Sequence, residues 1–458
     1  MEFINRSSEL QSLNREYNRD GFAMTVIYGR RRVGKTRLIK EFMQDKKGIY
    51  FLADTQIEGL NLQRFKEKAA ESLSDDLLLG IELNSWESII KYIVRSIGES
   101  QEKFVLAIDE FQYLVQINSS IPSIFQRIID ELLQKSNCML IICGSLISLM
   151  YSSVLDYSSP LYGRRTSQIK VRAFDFESFS LCYPNTYSRQ RVELYALLSG
   201  IPKYIELFQR DENIFQSIEN NFLDQSSFFY QEPRFLLQEE VDQNKTFFSI
   251  LQIIASGERK IGKISSKLGM ETRNITSFLQ KLKDLEIIER QVPVFERQPE
   301  KSKKGLYFIR DHFLRFWFAY IFPHSGDLEM DRQNYVLNKV KNTWTEYCSP
   351  CFEEICLEQA WQNAPFSVLK SGRHWQKDLE IDGVLIGDKD INFIECKWSN
   401  AKVGQEVYKD LQNKVEKLCP ELLKGKKLSF SLYSKAGFTQ DLIETSEKED
   451  LNLIDFNR

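Results

Sequence analysis

The sequence predicts an α/β protein in which a parallel β-sheet covered by helices is followed by smaller domains. Short apolar runs at residues 24–28, 104–108 and 139–143 have the continuous hydrophobicity of strands covered on both faces. Stretches with helical spacing of apolar residues separate these runs. The length of 458 residues exceeds what one hydrophobic core supports, so two to four domains are expected.

Charge and hydropathy narrow the class of protein. A net charge of −3 gives no global attraction to nucleic acid, so any such binding must come from local patches. The first ten residues are not those of a signal peptide. The longest apolar run, Phe313 to Phe322, contains Arg315 and is too short to span a bilayer. A cytoplasmic protein without a membrane partner is expected.

The eight cysteines do not form the pattern of a disulfide framework in a chain of this length. A metal or iron–sulfur site is an open alternative, with thiolates from Cys348, Cys351, Cys356 and Cys396. Against it, Cys356 lies within a helical pattern. The three histidines are spaced unlike zinc ligands.

The run Met24–Tyr28 leads into the pattern G-x-x-x-x-G-K-[ST], and a helical pattern follows. This context indicates a phosphate-binding loop, whose N–H groups and helix N-terminus face an anion. Lys35 would reach the β- and γ-phosphates of ATP, and the Thr36 hydroxyl would bind Mg²⁺. The arginines of the loop either are solvated or add positive potential. The predicted nucleotide-binding residues here are Gly29, Arg30, Arg31, Arg32, Val33, Gly34, Lys35, Thr36 and Arg37.

Two acids, Asp109 and Glu110, end the apolar run that begins at Phe104. Parallel sheets bind ligands at the carboxyl ends of their strands. Asp109 is therefore predicted to hold Mg²⁺ through water, and Glu110 to act as the general base on the attacking water. An acidic helix cap is the alternative, but it accounts for only one of the two acids.

Further polar residues follow the next strands. Ser145 is placed to touch the γ-phosphate or the attacking water, although a plain turn serine fits nearly as well. Arg164 and Arg165 follow a glycine and precede a strand-like stretch. An arginine here would neutralise transition-state charge, and a solvated pair is the alternative.

Six segments together resemble the archaeal-type ATPases of the AAA+ and STAND group: FINRSSEL, GRRRVGKT, AIDEFQYL, ICGS, PLYGRR and SGIPKY, within residues 3–205. The resemblance implies a P-loop NTPase core with a five-stranded parallel sheet and a small helical lid. It also implies that Asn5 and Arg6 lie near the adenine, that the turn with Pro202 closes on the nucleotide, and that Arg164 is the arginine finger. Leu146 departs from the pattern, which has a second small polar residue after Ser145.

Three helical patterns and two strand-like pieces follow the lid, at residues 244–255, 261–268, 272–288, 288–295 and 305–309. This order indicates a winged helix, a helix-turn-helix variant. Between Gly257 and Lys283, seven Lys and Arg stand against two Glu, and the wing adds Lys301, Lys303 and Lys304. The local charge predicts contact with DNA phosphates. A protein-binding or lid-stabilising winged helix is the alternative.

A β-hairpin is predicted near the C-terminus, with strands at residues 379–386 and 391–398. Because side chains alternate along a strand, Asp382, Glu395 and Lys397 can converge across it. Two carboxylates suit Mg²⁺, and a nearby lysine orients a metal-bound water or stabilises a phosphate. The alternative is an ordinary hairpin with exposed charges or a structural salt bridge.

The IDG and ECK motifs of this hairpin resemble the PD-(D/E)XK nuclease superfamily, over roughly residues 345–435. The resemblance implies that Asp382 and Glu395 are metal ligands, that Lys397 is the catalytic lysine and that Glu353 is the helical acid of the site. The proline that often precedes the aspartate is absent, as in diverged members. ATPases of this type often carry such domains without an assigned substrate.

The predicted architecture is a P-loop ATPase core (1–175), a helical lid (176–240), a winged helix (241–310) and a C-terminal α/β nuclease-like domain (311–458). The leading hypothesis is a Mg²⁺-dependent ATPase that binds DNA through the winged helix and cleaves it. One alternative is a nucleotide-dependent switch that binds DNA or protein without cleavage. Another is a protein-interaction ATPase that never touches nucleic acid. A homo-oligomer is compatible with all three, and Arg164 would act either within its own chain or on a neighbouring one.

Overall fold

The computed structural model describes residues 3–98, 102–241, 245–377 and 379–457. The chain divides into two compact units. The N-terminal unit consists of Met1–Phe174 and Ile201–Glu206, and the C-terminal unit consists of Asp175–Gly200 and Leu207–Arg458. The predicted lid therefore contributes one short stretch to the N-terminal unit. The four predicted domain boundaries stay predictions.

A five-stranded parallel sheet, in the order β2-β3-β4-β1-β5, is the centre of the N-terminal unit. Its strands are β1 (Ala23–Tyr28), β2 (Gly48–Leu52), β3 (Phe104–Asp109), β4 (Cys138–Gly144) and β5 (Ser167–Lys170). Every residue of β1, β3 and β4 is buried. Alternate residues of β1 enter different cores, with Met24 and Val26 in one and Ala23 and Ile27 in the other. The predicted parallel sheet with helices on both faces is confirmed.

Helices connect these strands, and the loops after β1, β3 and β4 all leave the same edge of the sheet because the strands are parallel. The helices are α1 (Ser7–Tyr17), α2 (Lys35–Met43), α3 (Glu58–Leu73), α4 (Leu77–Gly80), α5 (Trp86–Ile97), α6 (Phe111–Ile117), α7 (Ile121–Glu131) and α8 (Ile147–Met150).

Helices dominate the next part of the chain, as predicted. They are α9 (Phe176–Leu181), α10 (Ser188–Leu198), α11 (Pro202–Leu207), α12 (Ile214–Ile218) and α13 (Phe228–Val241). No helix in the described part of the chain is both long enough and apolar enough to cross a membrane.

The elements of the winged-helix prediction occur in the expected order. They are α14 (Lys245–Ala255), α15 (Ile261–Leu268), α16 (Thr272–Asp284), β6 (Ile288–Gln291) and β7 (Leu306–Ile309), and the two strands pair antiparallel. Lys260 forms a bridge with Leu306 beside them. The strand predicted to reach Phe295 ends at Gln291, because Pro293 has no N–H to donate to a ladder. Asn244, where the first helix was expected to begin, lies outside the described residues.

A second five-stranded sheet, in the order β12-β11-β10-β9-β8, lies in the C-terminal unit. Helices α17 (His312–Phe316), α18 (Ser325–Glu329) and α19 (Gln333–Gln362) precede it. Its elements are β8 (Lys370–Gln376), β9 (Leu379–Ile386), β10 (Asp390–Lys397), α20 (Gln405–Glu416), α21 (Pro420–Leu423), β11 (Lys427–Ser434), α22 (Gln440–Ser446) and β12 (Leu451–Asp455). The sheet is mixed, since β8, β9 and β10 are antiparallel and β10, β11 and β12 are parallel. The predicted hairpin is β9 and β10.

His374 of β8 is an uncharged core histidine. It is 5% exposed, and neither ring nitrogen has a hydrogen-bond partner among the described residues. The ring meets Phe295 edge-on, with the centroids 5.0 Å apart. Burial, assisted by the charge of Lys304, lowers the pKa of His374 to about 4. The folded protein therefore favours the neutral imidazole.

His374→Leu is expected to make the protein less sensitive to acid. An unfolded histidine has a pKa of about 6.5, so between about pH 6.5 and 4 the unfolded chain binds more protons than the folded one. Stability contributed by this group is therefore lost as the pH falls through that window. Urea denaturation should show a smaller fall in the free energy of unfolding from pH 7 to 4.5 in His374→Leu than in wild type. The control is His324→Leu, at a partly exposed histidine. Equal falls in wild type and His374→Leu would contradict the assignment.

Candidate functional site

The loop between β1 and α2 has the backbone of a phosphate-binding turn. Gly34 immediately precedes α2 with a φ of 94°, in the left-handed region that favours glycine. At Gly29, which has a φ of 152°, a side chain would overlap the carbonyl oxygen of Val171. Both glycines are therefore required by the turn and by the neighbouring chain, and the turn leads directly into the N-terminus of α2.

The ammonium group of Lys35 lies within this loop. Lys35 is buried, and its Nζ donates to the carbonyl oxygens of Gly29 at 2.9 Å and of Arg30 at 2.8 Å. Burial lowers the pKa of Lys35. These two hydrogen bonds hold the lysine where phosphate oxygens would compete for the same donors.

Thr36, in the first turn of α2, and Asp109, the last residue of β3, meet although they are distant in sequence. Thr36 Oγ1 donates to Asp109 Oδ2 at 2.6 Å. Tyr50 of β2 donates to the same oxygen at 2.9 Å. A hydroxyl and a carboxylate in contact are the oxygen ligands that Mg²⁺ prefers, so these residues fit the ion. Tyr50 was not predicted, because only the pairing of β2 with β3 brings it to Asp109.

Glu110, Gln112 and Ser145 form a connected polar group beside this pair. Ser145 Oγ donates to Glu110 Oε2 at 2.8 Å, and Gln112 Nε2 donates to the same carboxylate. Gln112 Oε1 accepts from the Ser145 backbone N–H at 3.3 Å. Glu110 adopts a φ of 56°, a conformation that costs a non-glycine residue about 1–2 kcal/mol. Gln112 is completely buried and was not predicted, since its polar type alone gives no sign of burial.

Two arginines that the sequence analysis singled out, Arg31 and Arg164, have partners within the chain. Arg31 donates to the Tyr113 hydroxyl at 2.6 Å. The Arg164 guanidinium binds both carboxylate oxygens of Asp130 on α7, at 2.8 and 2.7 Å. The predicted role of Arg164 as an arginine finger stays a prediction. It would require the guanidinium to leave Asp130 or to present its remaining N–H groups.

The residues expected near the adenine border the phosphate loop. Arg6 Nη2 donates to the carbonyl oxygens of Val33 at 3.0 Å and Arg172 at 2.7 Å. Its guanidinium lies 4.8 Å from the centroid of the Phe174 ring. Pro202 lies beside Gly34, where an added Cβ would be 3.9 Å from Pro202 Cγ. Arg6 and Pro202 thus lie next to the loop, as does the chain segment that contains Asn5.

The basic residues counted for the winged helix do not all face solvent. The Arg259 guanidinium lies 4.3 Å from the centroid of the Phe308 ring, and burial lowers the pKa of Arg259. Lys267 pairs with Glu258 at 3.4 Å and Arg273 with Glu271 at 2.7 Å. Arg259 therefore does not belong to the basic surface. The exposed basic side chains of this region include Lys260, Lys263, Arg273, Lys281, Lys301 and Lys303.

In the C-terminal unit, the predicted acid–acid–lysine set lies on neighbouring strands. Asp382 Oδ2 of β9 accepts from the backbone N–H of Cys396 at 2.9 Å, between the two predicted residues of β10. Lys397 Nζ lies 2.7 Å from Glu395 Oε1. Burial, together with the charges of Glu353 and Glu395, raises the pKa of Asp382 to about 8. The surroundings therefore disfavour the ionised form of Asp382, and a bound cation would favour it.

Glu353 approaches this site from α19. Ser349 donates to its Oε1 at 3.3 Å, and its Oε2 is buried without a hydrogen-bond donor among the described residues. Arg373 of β8 forms ion pairs with Glu353 at 3.1 Å and Glu380 at 2.6 Å. Burial raises the pKa of Glu353, and Arg373 opposes the rise. Arg373 was not predicted, because β8 itself was not.

The donor set of the C-terminal site fits a hard cation bound mainly through water. Within the described ranges, no three His, Cys, Asp or Glu side chains come together as a metal-binding group. The thiolate cluster considered for Cys348, Cys351, Cys356 and Cys396 is therefore not formed there. Mg²⁺ often uses only one or two carboxylates and keeps several waters. A cation would favour the ionised form of Asp382, whose pKa is raised, whereas Glu353 Oε2 is already paired with Arg373 at 3.1 Å.

Comparison with known proteins gives two family matches. A model of an ATPase domain found predominantly in Archaea matches residues 3–208, and one of archaeal and bacterial proteins of unknown function matches residues 317–417. The uncharacterized protein MJECL04 of Methanocaldococcus jannaschii is 34% identical over 421 residues, 90% of this chain and 91% of the relative. The uncharacterized ATP-binding protein MJ0423 of the same organism is 51% identical over 45 residues, 10% of this chain and 76% of the relative.

Among solved structures, the Walker-type ATPase paby2304 of Pyrococcus abyssi is similar, with a TM-score of 0.53 and 21% identity. The match covers 69% of this chain and 96% of that one. At this identity the likeness concerns the fold alone.

Gln112→Leu is expected to lower the rate of ATP hydrolysis about 10- to 100-fold, a part of what a general base contributes. Leucine fills the buried space but cannot donate to Glu110 or Ser145. ATP affinity should stay within about twofold, because Gln112 touches neither the phosphate loop nor Thr36 in the hydrogen bonds described. Steady-state hydrolysis and titration with a fluorescent ATP analogue measure the two quantities. Gln116→Leu, on the exposed side of the same helix, is the control. A wild-type rate in Gln112→Leu would contradict a role in positioning Glu110.

Proposed function

The chain belongs to the same family as the M. jannaschii protein MJECL04, and its N-terminal ATPase domain is of the kind found predominantly in Archaea. From this we propose that the protein is a Mg²⁺-dependent ATPase. We propose that it couples ATP binding and hydrolysis to DNA binding and DNA cleavage. The observation that carries the ATPase part is the contact of Thr36 with Asp109 beside Lys35 and Glu110. The predicted division into core, lid, winged helix and nuclease-like domain is part of the proposal.

The nucleotide site uses residues at and just after the carboxyl ends of β1, β3 and β4. The loop N–H groups and Lys35 bind the phosphates, while Arg6 and Pro202 border the nucleotide. Thr36 and Asp109 would hold Mg²⁺, which would neutralise charge on the phosphate oxygens. Glu110 accepts a proton from the attacking water, and Ser145 and Gln112 fix the orientation of its carboxylate.

The winged helix is proposed to hold DNA by its phosphates. The exposed lysines Lys260, Lys263, Lys281, Lys301 and Lys303 support this, since phosphate contacts come mostly from such side chains. Affinity that falls steeply with salt concentration is the expected signature. A homo-oligomer is compatible with the proposal, and Arg164 would act on the neighbouring nucleotide after leaving Asp130 or through its remaining N–H groups.

The C-terminal site is proposed to cleave phosphodiester bonds. Asp382 and Glu395, with Glu353 from α19, would hold Mg²⁺, which would polarise the phosphate and lower the pKa of a bound water. Lys397 stabilises charge on the scissile phosphate. The support is the contact of Asp382 with the backbone N–H of Cys396, next to Glu395, together with a partly exposed lysine at 2.7 Å from Glu395.

A second function, a nucleotide-dependent switch without cleavage, is favoured by one observation. Glu395 is contacted by two lysines, Lys397 at 2.7 Å and Lys414 at 3.0 Å, as in a structural ion-pair network. In that case the C-terminal domain would bind DNA or protein without cleaving it. ATP binding would change whether the domain is accessible to that partner.

Cleavage of plasmid and linear DNA by the full chain, in Mg²⁺ or Mn²⁺ with and without ATP, separates these functions. Wild type is expected to cut, and Asp382→Ala is expected to lose at least about 100-fold in rate, because the Mg²⁺ ligand is gone. Asp388→Ala, at an exposed acid in the turn of the same hairpin, is the matched control.

The response of cutting to Lys35→Ala shows whether ATP controls it. If wild type and Asp382→Ala both leave DNA intact while ATP is hydrolysed, cleavage is wrong for those substrates and the switch is favoured. Salt-dependent DNA affinity would rule out the protein-interaction ATPase, and absence of DNA affinity would favour it.

A further inference from the structure

Lys414 is a basic residue of the C-terminal site that the sequence motif does not contain. It lies on α20, outside the β9–β10 hairpin, and its side chain is partly exposed. Its Nζ lies 3.0 Å from Glu395 Oε1 and 3.1 Å from Glu395 Oε2. Asp410, one turn earlier on the helix, lies 3.2 Å from the same Nζ.

The position of Lys414 on Glu395 differs from that of Lys397. Lys397 contacts one oxygen of the carboxylate, at 2.7 Å, whereas Lys414 is nearly equidistant from both. A hard cation that binds a carboxylate through both oxygens takes this equidistant place. The ammonium of Lys414 therefore occupies the position next to the Glu395 carboxylate where a divalent cation would bind.

Glu395 has two cations in contact with it, Lys397 at 2.7 Å and Lys414 at 3.0 Å. A divalent cation on Glu395 would add its charge next to both ammonium groups. The resulting repulsion is relieved if one ammonium leaves or if an anion binds at the same time. Lys414 comes from a separate helix and has Asp410 as a second partner, so it can leave without disturbing the hairpin.

We propose that Lys414 holds the place of the divalent cation on Glu395 and that, when the cation binds, its ammonium turns to a phosphate oxygen of the nucleic acid. Binding of the cation and of the nucleic acid is then coupled, because the Lys414 ammonium that the cation displaces donates to a phosphate of the nucleic acid. This inference rests on the proposed metal site of the C-terminal domain. Lys397 remains on the strand and needs no movement.

Two binding measurements on the full chain test the exchange, and the inference expects them to change in opposite directions. The first is calorimetric titration with Mn²⁺ in the absence of nucleotide, with Asp382→Ala as the blank for ions bound elsewhere. Without the competing ammonium, Lys414→Ala is expected to bind Mn²⁺ roughly fivefold more tightly, the effect of one partly exposed ion pair. The second is the affinity for a DNA duplex in the presence of Ca²⁺, which is expected to be roughly fivefold weaker in Lys414→Ala.

Lys414→Met, which keeps the aliphatic part of the side chain, repeats both measurements if the alanine variant is unstable. Lys409→Ala, at an exposed lysine of the same helix, is the matched control and should change neither affinity. Equal or weaker binding of Mn²⁺ by both Lys414 variants overturns the inference while leaving the metal site in place. A wild-type titration identical to that of Asp382→Ala overturns the proposed metal site, and this inference with it.

Discussion

The hydrogen bond of 2.6 Å between Thr36 and Asp109 is the interaction on which the N-terminal unit depends. Thr36 follows β1 and Asp109 ends β3, and these strands are not neighbours, since β4 lies between them. The bond therefore joins the start of α2 to the far side of β4 along one edge of the sheet. Lys35 precedes Thr36 and Glu110 follows Asp109, so the same contact also positions these two residues. Tyr50 donates to the same carboxylate oxygen and fixes Asp109 from the other neighbouring strand.

The parts of this arrangement set by local sequence could be predicted. Strands β1 and β3 are apolar except for Thr25 and the terminal Asp109, and polar residues follow them, so Lys35, Thr36, Asp109 and Glu110 could be identified. Residues whose roles depend on packing between distant segments were not. Gln112 reaches Ser145 only because β3 and β4 are adjacent, and Arg373 meets Glu353 only because β8 lies beside β9. Strand β8 contains Ser371, Gly372 and Arg373 and lacks the apolar alternation that reveals a strand.

The C-terminal unit uses a different physical principle. Its acids lie close together, and burial with the charges of Glu353 and Glu395 raises the pKa of Asp382. Arg373 and Lys414 come from elements outside the hairpin and form ion pairs with Glu353 and Glu395. The motif in β9 and β10 thus gives the chemical type of the site, while β8 and α20 determine its charge. Neither contribution is visible without the mixed sheet that brings these elements together.

ATP hydrolysis by the full chain, compared with Glu110→Gln and Lys35→Ala, tests the central claim most directly. The account predicts Mg²⁺-dependent hydrolysis by wild type. In Glu110→Gln it predicts ATP binding near the wild-type affinity with a rate lower by about 100-fold or more, because the amide cannot accept the proton. In Lys35→Ala it predicts loss of ATP binding. Hydrolysis at the wild-type rate in Glu110→Gln, or ATP binding that is indifferent to Lys35→Ala, would contradict the account.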